Sequence, residues 1–338
     1  MRKARHGNKK SNRSALIIIL FLLVIGGGLF GIYRYEQAEA QKAATAPEDD
    51  GYPERVTVYY DGAWYQLRDD LETYLILGID KTEETRQDAA DTVFNNQQCD
   101  FLMLMVVDRT NRSYCGIHLN RDTMCEIRRL GLGGVSTGTV TEQLALSHTY
   151  GSGGRDSCRN SAQAVSRLLY DVPVEHYFAV TMDAIPVLND LVGGVTVHIE
   201  EDMSNVDPAF VEGADVSLDG QQALRFVRAR MSVGDGSNLS RMNRQRVYIT
   251  GLYEQMNRSL SSSDSFALRL ANSMSDYMTS DLITEELAQL ADQLKDYRFD
   301  GILVTEGEAR PGVRFTEFYP DEAALQQLVV SVFFEPQT

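Results

Sequence analysis

Residues 73–80 read TYLILGID, and two similar runs follow, DFLMLMVVD at 100–108 and YCGIHLNRD at 114–122. Each is a short apolar stretch rich in β-formers and bounded by polar residues, which is the pattern of a strand buried in a sheet. Further strand candidates lie at 176–181, 195–199, 301–305 and 314–318. Helical periodicity occupies 160–170, 184–191, 219–229, 241–257, 265–274, 284–294 and 321–333. Strands interleaved with helices predict one α/β domain over 71–338, an αβα sandwich whose central mixed sheet is covered by helices on both faces. Residues 56–70 offer only a weak strand-turn-strand around Asp61-Gly62. No internal repeat or dividing linker is visible.

Outward from this domain the composition changes. The chain has 338 residues, 48 acidic against 32 basic, a net charge of −16 and 43% apolar residues, enough for a core and too many for a disordered chain. Seven of the basic residues (Arg2, Lys3, Arg5, Lys9, Lys10, Arg13, Arg34) fall within 1–34, which holds no acid, so the remainder stands at −23. Between them lie nineteen uncharged residues, ALIIILFLLVIGGGLFGIY at 15–33. As a helix they span roughly 28 Å, close to the hydrocarbon thickness of a bilayer. The reading is a transmembrane anchor at 15–33 with residues 1–14 as a basic cytoplasmic tail, since six of the seven charges precede the span. Everything beyond is then extracellular, in a single-pass protein of the cell membrane. A cleaved signal peptide competes through Ala38-Glu39-Ala40, but the apolar run exceeds the usual signal-peptide core. Residues 34–55 are polar, Ala-rich and broken by Pro47 and Pro53, so 34–70 reads as a stalk or accessory segment.

The strongest chemical signal is DGQQALRFVRARMSVGDGSNLSRMNRQR at 219–246: six arginines, no lysine and two acids inside an acidic domain. Arginine concentrated against the prevailing charge points to planar capture of phosphate or carboxylate rather than to a solvated face. Arg241, Arg244 and Gln245 share one side of a helix. Arg228 and Arg230 face the same way if the chain is extended there, with the glycine-containing loop between the two sets bringing them to one pocket. A second signal is aspartate at strand ends: Asp80, Asp100 and Asp122. One such residue usually caps a helix or turn; three on successive strands fit a divalent cation shared with a phosphate. A nucleic-acid partner is excluded by charge, because the external domain would repel a phosphate backbone outside one arginine pocket. Four cysteines (Cys99, Cys115, Cys125, Cys158) permit three full pairings, and the sequence chooses none. Ser147-His148 has no acid partner and reads as structural, His118 alone makes no site, and Gly151, Gly153 and Gly154 form a turn rather than a nucleotide loop.

LILGID, CDFLMLMVV, NRDT (120–123), LSHTYGSGG (146–154), DLVGGVTV (190–197) and LDGQQALRFVRAR followed by SRMNRQR occur in that order over 74–249. The ordered set, with one short anchor and an external domain, resembles the LytR-CpsA-Psr family. That resemblance implies a phosphotransferase that moves an anionic glycopolymer, such as a teichoic acid or wall polysaccharide, from a polyprenyl pyrophosphate carrier to a peptidoglycan hydroxyl. By motif position, Asp80 and Asp100 would hold Mg²⁺. Arg121, Arg228, Arg230, Arg241 and Arg244 would neutralise the pyrophosphate, with Gln245 nearby. Two departures stand out: Gln98 replaces an arginine two residues before the metal aspartate, and Asn238 replaces an aspartate three residues before Arg241. Asn is no general base, which leaves Asp235 in the same loop as the candidate. The competing readings are a pyrophosphatase using the same pocket and a non-catalytic carrier-binding or regulatory protein.

Overall fold

The computed structural model describes residues 56–80, 94–131, 134–231 and 233–337. A first hairpin, β1 (Thr57–Tyr60) and β2 (Ala63–Leu67), turns at Asp61-Gly62, both at positive φ. This is the two-residue turn whose twist matches paired strands. It leads into β3 (Leu71–Asp80), β4 (Gln98–Asp108) and β5 (Ser113–Leu119), three long antiparallel neighbours. A second hairpin, β6 (Met124–Leu130) and β7 (Ser136–Gln143), precedes a 3₁₀ turn at Leu144–Thr149 and helix α1 (Arg155–Leu168).

The chain then continues through β8 (His176–Thr181), α2 (Ala184–Leu191), β9 (Val195–His198), β10 (Asp215–Leu218), α3 (Gly220–Arg228) and α4 (Asn238–Ser262). It closes with α5 (Phe266–Met274), β11 (Met278–Ser280), α6 (Thr284–Leu294), β12 (Arg298–Val304), the hairpin β13 (Gly307–Pro311) and β14 (Thr316–Pro320), α7 (Glu322–Phe333) and β15 (Phe334–Pro336).

The central sheet has six strands in the order β11-β8-β3-β4-β5-β12, with β3–β8 and β5–β12 parallel and the other pairs antiparallel. One face presents Leu75, Leu77, Leu102, Leu104 and Ile117 to α1 and α7, forming the main core. On the other, Tyr74, Val107 and Phe178 pack with Leu287, Leu290 and Leu294 of α6. Tyr253 of α4 meets Tyr114 there, at 6.2 Å between ring centroids. A separate core of Val195, Val197, Phe210, Phe226, Tyr248 and Phe266 holds the β9–β10 pair among the helical segments that carry most of the arginines.

Several expectations meet a different outcome. The strand candidates at 195–199 and 314–318 do form strands, but in two-stranded sheets outside the central one, because β9 pairs only with β10 and β14 only with β13. The β1–β2 hairpin, within the expected accessory segment, is hydrogen-bonded to β15 at the far end of the chain, with Phe334 opposite Leu67. Among the described residues no helix is long and apolar enough to cross a membrane, and the candidate tail 1–14 and anchor 15–33 lie outside those residues.

Candidate active site

Asp80 ends β3, and Asp100 sits near the start of its neighbour β4. The two strands slip by one residue there: Gly78 pairs with Phe101 and Ile79 with Cys99, which leaves Asp100 unopposed. Such a bulge re-aims a side chain, here from the strand alternation toward the arginines. Glycine at 78 is required by contact, since a side-chain carbon there would lie 2.8 Å from Phe101 Cβ.

Around Asp100 the arginines assemble from three elements. Arg121, just beyond β5, gives Nη1 to Asp100 Oδ1 and Nη2 to Gln98 Oε1 at 2.7 Å. Arg241, in the first turn of α4, places Nη1 3.3 Å from Asp100 Oδ2 and donates from Nη2 to Asn238 Oδ1 at 2.7 Å. The two residues that depart from the family pattern therefore position arginines. Gln98 steadies Arg121, and Asn238 accepts from Arg241 while donating to Asn120 Oδ1 at 2.8 Å. α4 begins where it does because Ser237 caps it, its side chain accepting from the Ser240 N–H.

Helix α3 delivers the other pair. It starts with a capping box between Asp219 and Gln222 and ends at Arg228, after which Ala229 is extended at ψ 133°. Arg228 Nη2 then reaches Asp80 Oδ1 at 3.3 Å, and Arg230 Nη2 lies 3.7 Å from Asp122 Oδ2. Asp122 is buried and also faces Arg121 Nε at 3.4 Å and Gln143 Nε2 at 3.1 Å. Its pKa is raised because desolvation outweighs the pull of Arg121, Arg230 and Arg241. Burial likewise pulls Arg121 and Arg241 down to about 10, still charged at neutral pH.

Arg121, Arg228 and Arg241 thus converge on Asp80 and Asp100, with Arg230 beside them on Asp122. Arg244 and Gln245 are buried one turn further on. Arg244 is bound by Glu201, by Ser240 Oγ at 2.7 Å and by the Ala229 carbonyl, and Gln245 donates to the Val227 carbonyl at 3.5 Å. Their contacts brace the end of α3. Asp235 lies exposed, and hydrogen bonds from the Ser237 side chain and from the Ser237 N–H at 2.8 Å hold its pKa down. The structure places it in a loop turn, with no hydrogen bond to the arginines among the described residues. Ser147 Oγ donates to Ser161, and His148 faces the Gln97 carbonyl and Cys158, so these two residues do not form a nucleophile and base pair. Asn120, Gln143 and Glu201 escape sequence reading because each acts on a group distant in the chain.

Asp80 and Asp100 suit a hard cation chemically. Each oxygen now paired with an arginine retains a second lone pair, and Mg²⁺ is characteristically held by one or two carboxylates together with substrate phosphates. Among the described residues no group of three or more His, Cys, Asp or Glu side chains could hold a metal ion by itself. A metal here would be completed by phosphate and water.

The chain has relatives among known proteins. The chain is 26% identical over 252 residues to the polyisoprenyl-teichoic acid–peptidoglycan teichoic acid transferase TagU of Bacillus subtilis, covering 75% of this chain and 72% of that protein. Among solved structures, protein gbs0355 of Streptococcus agalactiae matches with TM-score 0.62 at 19% identity, covering 78% of this chain and 87% of that one. TagT bound to LI-WTA matches with TM-score 0.58 at 18% identity, over 78% and 90%. These likenesses establish a common fold. With the LytR_cpsA_psr family's sequence profile matching residues 30–326, the chain belongs to the LytR_cpsA_psr family.

Proposed function

We propose that this protein is a membrane-anchored phosphotransferase that moves an anionic glycopolymer, of the teichoic acid or wall polysaccharide class, from a polyprenyl pyrophosphate carrier to a peptidoglycan hydroxyl outside the cell membrane. The observation that carries the reading is the meeting of Arg121, Arg228 and Arg241 with Asp80 and Asp100 at the ends of two adjacent strands, with Arg230 beside them on Asp122. TagU, named as a teichoic acid transferase to peptidoglycan, supports the substrate class. The anchor at 15–33 supports the location.

The reaction is displacement at the phosphorus that bears the glycan. A new bond forms from the acceptor oxygen to phosphorus, the bond to the bridging oxygen breaks with its electron pair, and polyprenyl phosphate leaves while the hydroxyl proton passes to that phosphate or to water. Catalysis of this kind rests on positioning and charge neutralisation. Arg121 and Arg241, fixed on Asp100, offer a preset cationic surface for the pyrophosphate, while Arg228 and Arg230 close on it from the end of α3. Mg²⁺ held by Asp80 and Asp100 would supply further neutralisation of the phosphate oxygens. Asp122 holds Arg230 and Arg121 apart at a fixed spacing. The test is the full-length protein in detergent with a polyprenyl pyrophosphate saccharide, Mg²⁺ and peptidoglycan fragments, beside Arg228→Ala/Arg230→Ala. Metal-dependent phosphoglycosyl product that disappears in the variant is the expected result. Free phosphosaccharide alone would make the protein a hydrolase, and carrier binding without product would make it a binding protein.

A further inference from the structure

A cavity of about 410 Å³ opens between the β13–β14 hairpin and the loop that carries Arg121. Its floor is Arg121, Asp122, Gln143 and Arg230, its wall is the hairpin tip at 311–316, and Met231 stands at its rim. The hairpin is tied to this floor. Gln143 Nε2 donates both to Asp122 Oδ1 and to the Thr316 carbonyl at 2.7 Å, and the Phe318 N–H donates to the Asp122 carbonyl at 2.8 Å. The tip is therefore a set wall of the arginine site, although its residues are distant in sequence. It leaves large apolar side chains in water: Val313 is 99% exposed, Phe315 68% and Met231 84%. Arg314 lies between the first two, also exposed. Exposed apolar groups gathered at one concavity mark a binding surface, since they add nothing to folding where they stand.

We propose that this cavity docks the acceptor, the saccharide whose hydroxyl attacks, with Phe315 as the platform under a sugar ring and Arg314 as a donor to its carboxylate or amide oxygens. The inference rests on the phosphotransferase reading above. Three observations select this occupant. The volume lies in the range that holds a small ligand, and an apolar wall over a few convergent charged groups suits a sugar, with its apolar ring face and polar rim. The charged floor of Arg121, Asp122 and Arg230 is unsuited to an isoprenoid chain, which would be accommodated by apolar surface. In-line displacement needs the incoming oxygen opposite the leaving phosphate. The hairpin cavity opens at Arg121 and Arg230, two of the arginines set around the phosphate in that reading, so an occupant there lies beside the phosphorus.

The experiment uses full-length protein with a soluble, uncrosslinked N-acetylglucosamine–N-acetylmuramic acid oligosaccharide as acceptor and a polyprenyl pyrophosphate saccharide as donor. It compares wild type with Phe315→Ala, Phe315→Trp and Arg314→Gln. Transfer kinetics are read as separate KM values, and oligosaccharide binding is measured directly by saturation-transfer NMR without donor. Phe315→Ala is expected to raise the acceptor KM at least tenfold with the donor KM within twofold, and Phe315→Trp to restore it. Arg314→Gln is expected to raise the acceptor KM several-fold. An acceptor KM untouched by Phe315→Ala overturns the proposal. So does a rise confined to the donor KM, which would assign the cavity to the donor's glycan. Loss of binding to anionic phospholipid vesicles with both KM values unchanged also overturns it, making the tip a lipid contact. Wild type that binds the oligosaccharide through Phe315 but forms no product keeps the subsite and removes the transferase reading. Transfer with no dependence on Phe315 removes the subsite alone.

Discussion

Arg121 and Arg241 stand on one side of the site with side chains 12% and 6% exposed, both held on Asp100. Arg228 and Arg230 stand on the other, 48% and 28% exposed, each reaching one carboxylate at 3.3 and 3.7 Å. Both pairs carry the same charge toward the same ligand but make different demands on the fold. The enclosed pair has been desolvated during folding, and Asp100, Gln98 and Asn238 compensate for it, so its geometry is set before a phosphate arrives. The open pair stays largely hydrated and, in the proposed reaction, would exchange water for phosphate at binding. A cationic site can thus separate the groups that define its shape from those that respond to its ligand.

The comparison breaks most visibly at Arg241. Arg241→Ala removes one of the two arginines on Asp100 and the donor to Asn238 Oδ1 in a partly closed site, and is expected to cost about 2–4 kcal/mol of stability along with at least ~10³-fold in turnover. Chemical denaturation and product formation measure the two losses. Arg228→Ala should separate them. Turnover is expected to fall about 10²-fold while the denaturation midpoint moves by no more than about 0.5 kcal/mol, because its pair with Asp80 is solvent-exposed. A stability loss as large as that of Arg241→Ala would abolish the distinction.

Beneath the enclosed side lies His118, its ring tilted against Phe101 at 4.8 Å between ring centroids. Burial, then Arg246 and Arg241, lower its pKa to about 3; burial lowers that of His148 to about 4. Both are neutral in the folded chain, whereas the unfolded chain protonates them below about pH 6.5. Their contribution is therefore fully present above that pH and declines as pH falls toward 4 and 3. Between pH 6.5 and 5 the loss should be about 2–4 kcal/mol in total, and Phe at 118 with Leu at 148 should flatten it; denaturant midpoints against pH give the slope. The smallest effect is expected at Asp235, whose carboxylate serves a loop turn. Asp235→Asn should hold transfer within about threefold, and a loss beyond ~10²-fold in the transfer assay would restore a proton-accepting role.

The arginines were legible because they oppose the charge of everything around them, and α2 and α6 because their periodicity and boundaries are clean over 184–191 and 284–294. The β6–β7 hairpin was not legible. STGTVTEQ is largely exposed along its length, so no alternation marks it as a strand. The three-dimensional partners of the arginines were hidden for a different reason. Glu201 meets Arg244 across 43 residues, and Gln143 meets Thr316 across 173, and no local pattern records such pairings. The bulge that turns Asp100 was invisible because it depends on register between two strands, which either strand alone leaves open.

The closing pairings of the fold have a kinetic meaning. β12 pairs with β5 across the chain, α7 fills the main core, and β15 hydrogen-bonds to β2, joining Phe334 to Leu67. Contacts of such separation slow folding, because chain entropy must be lost before they contribute. The six-stranded sheet cannot be completed until β12 at 298–304 has been made, so a chain emerging from the ribosome keeps an open edge at β5 until then. The hydrogen bonds from Gln143 to the Thr316 carbonyl and from the Phe318 N–H to the Asp122 carbonyl wait for a still later segment, so the floor of the arginine site is fastened only well after the arginines themselves have been made.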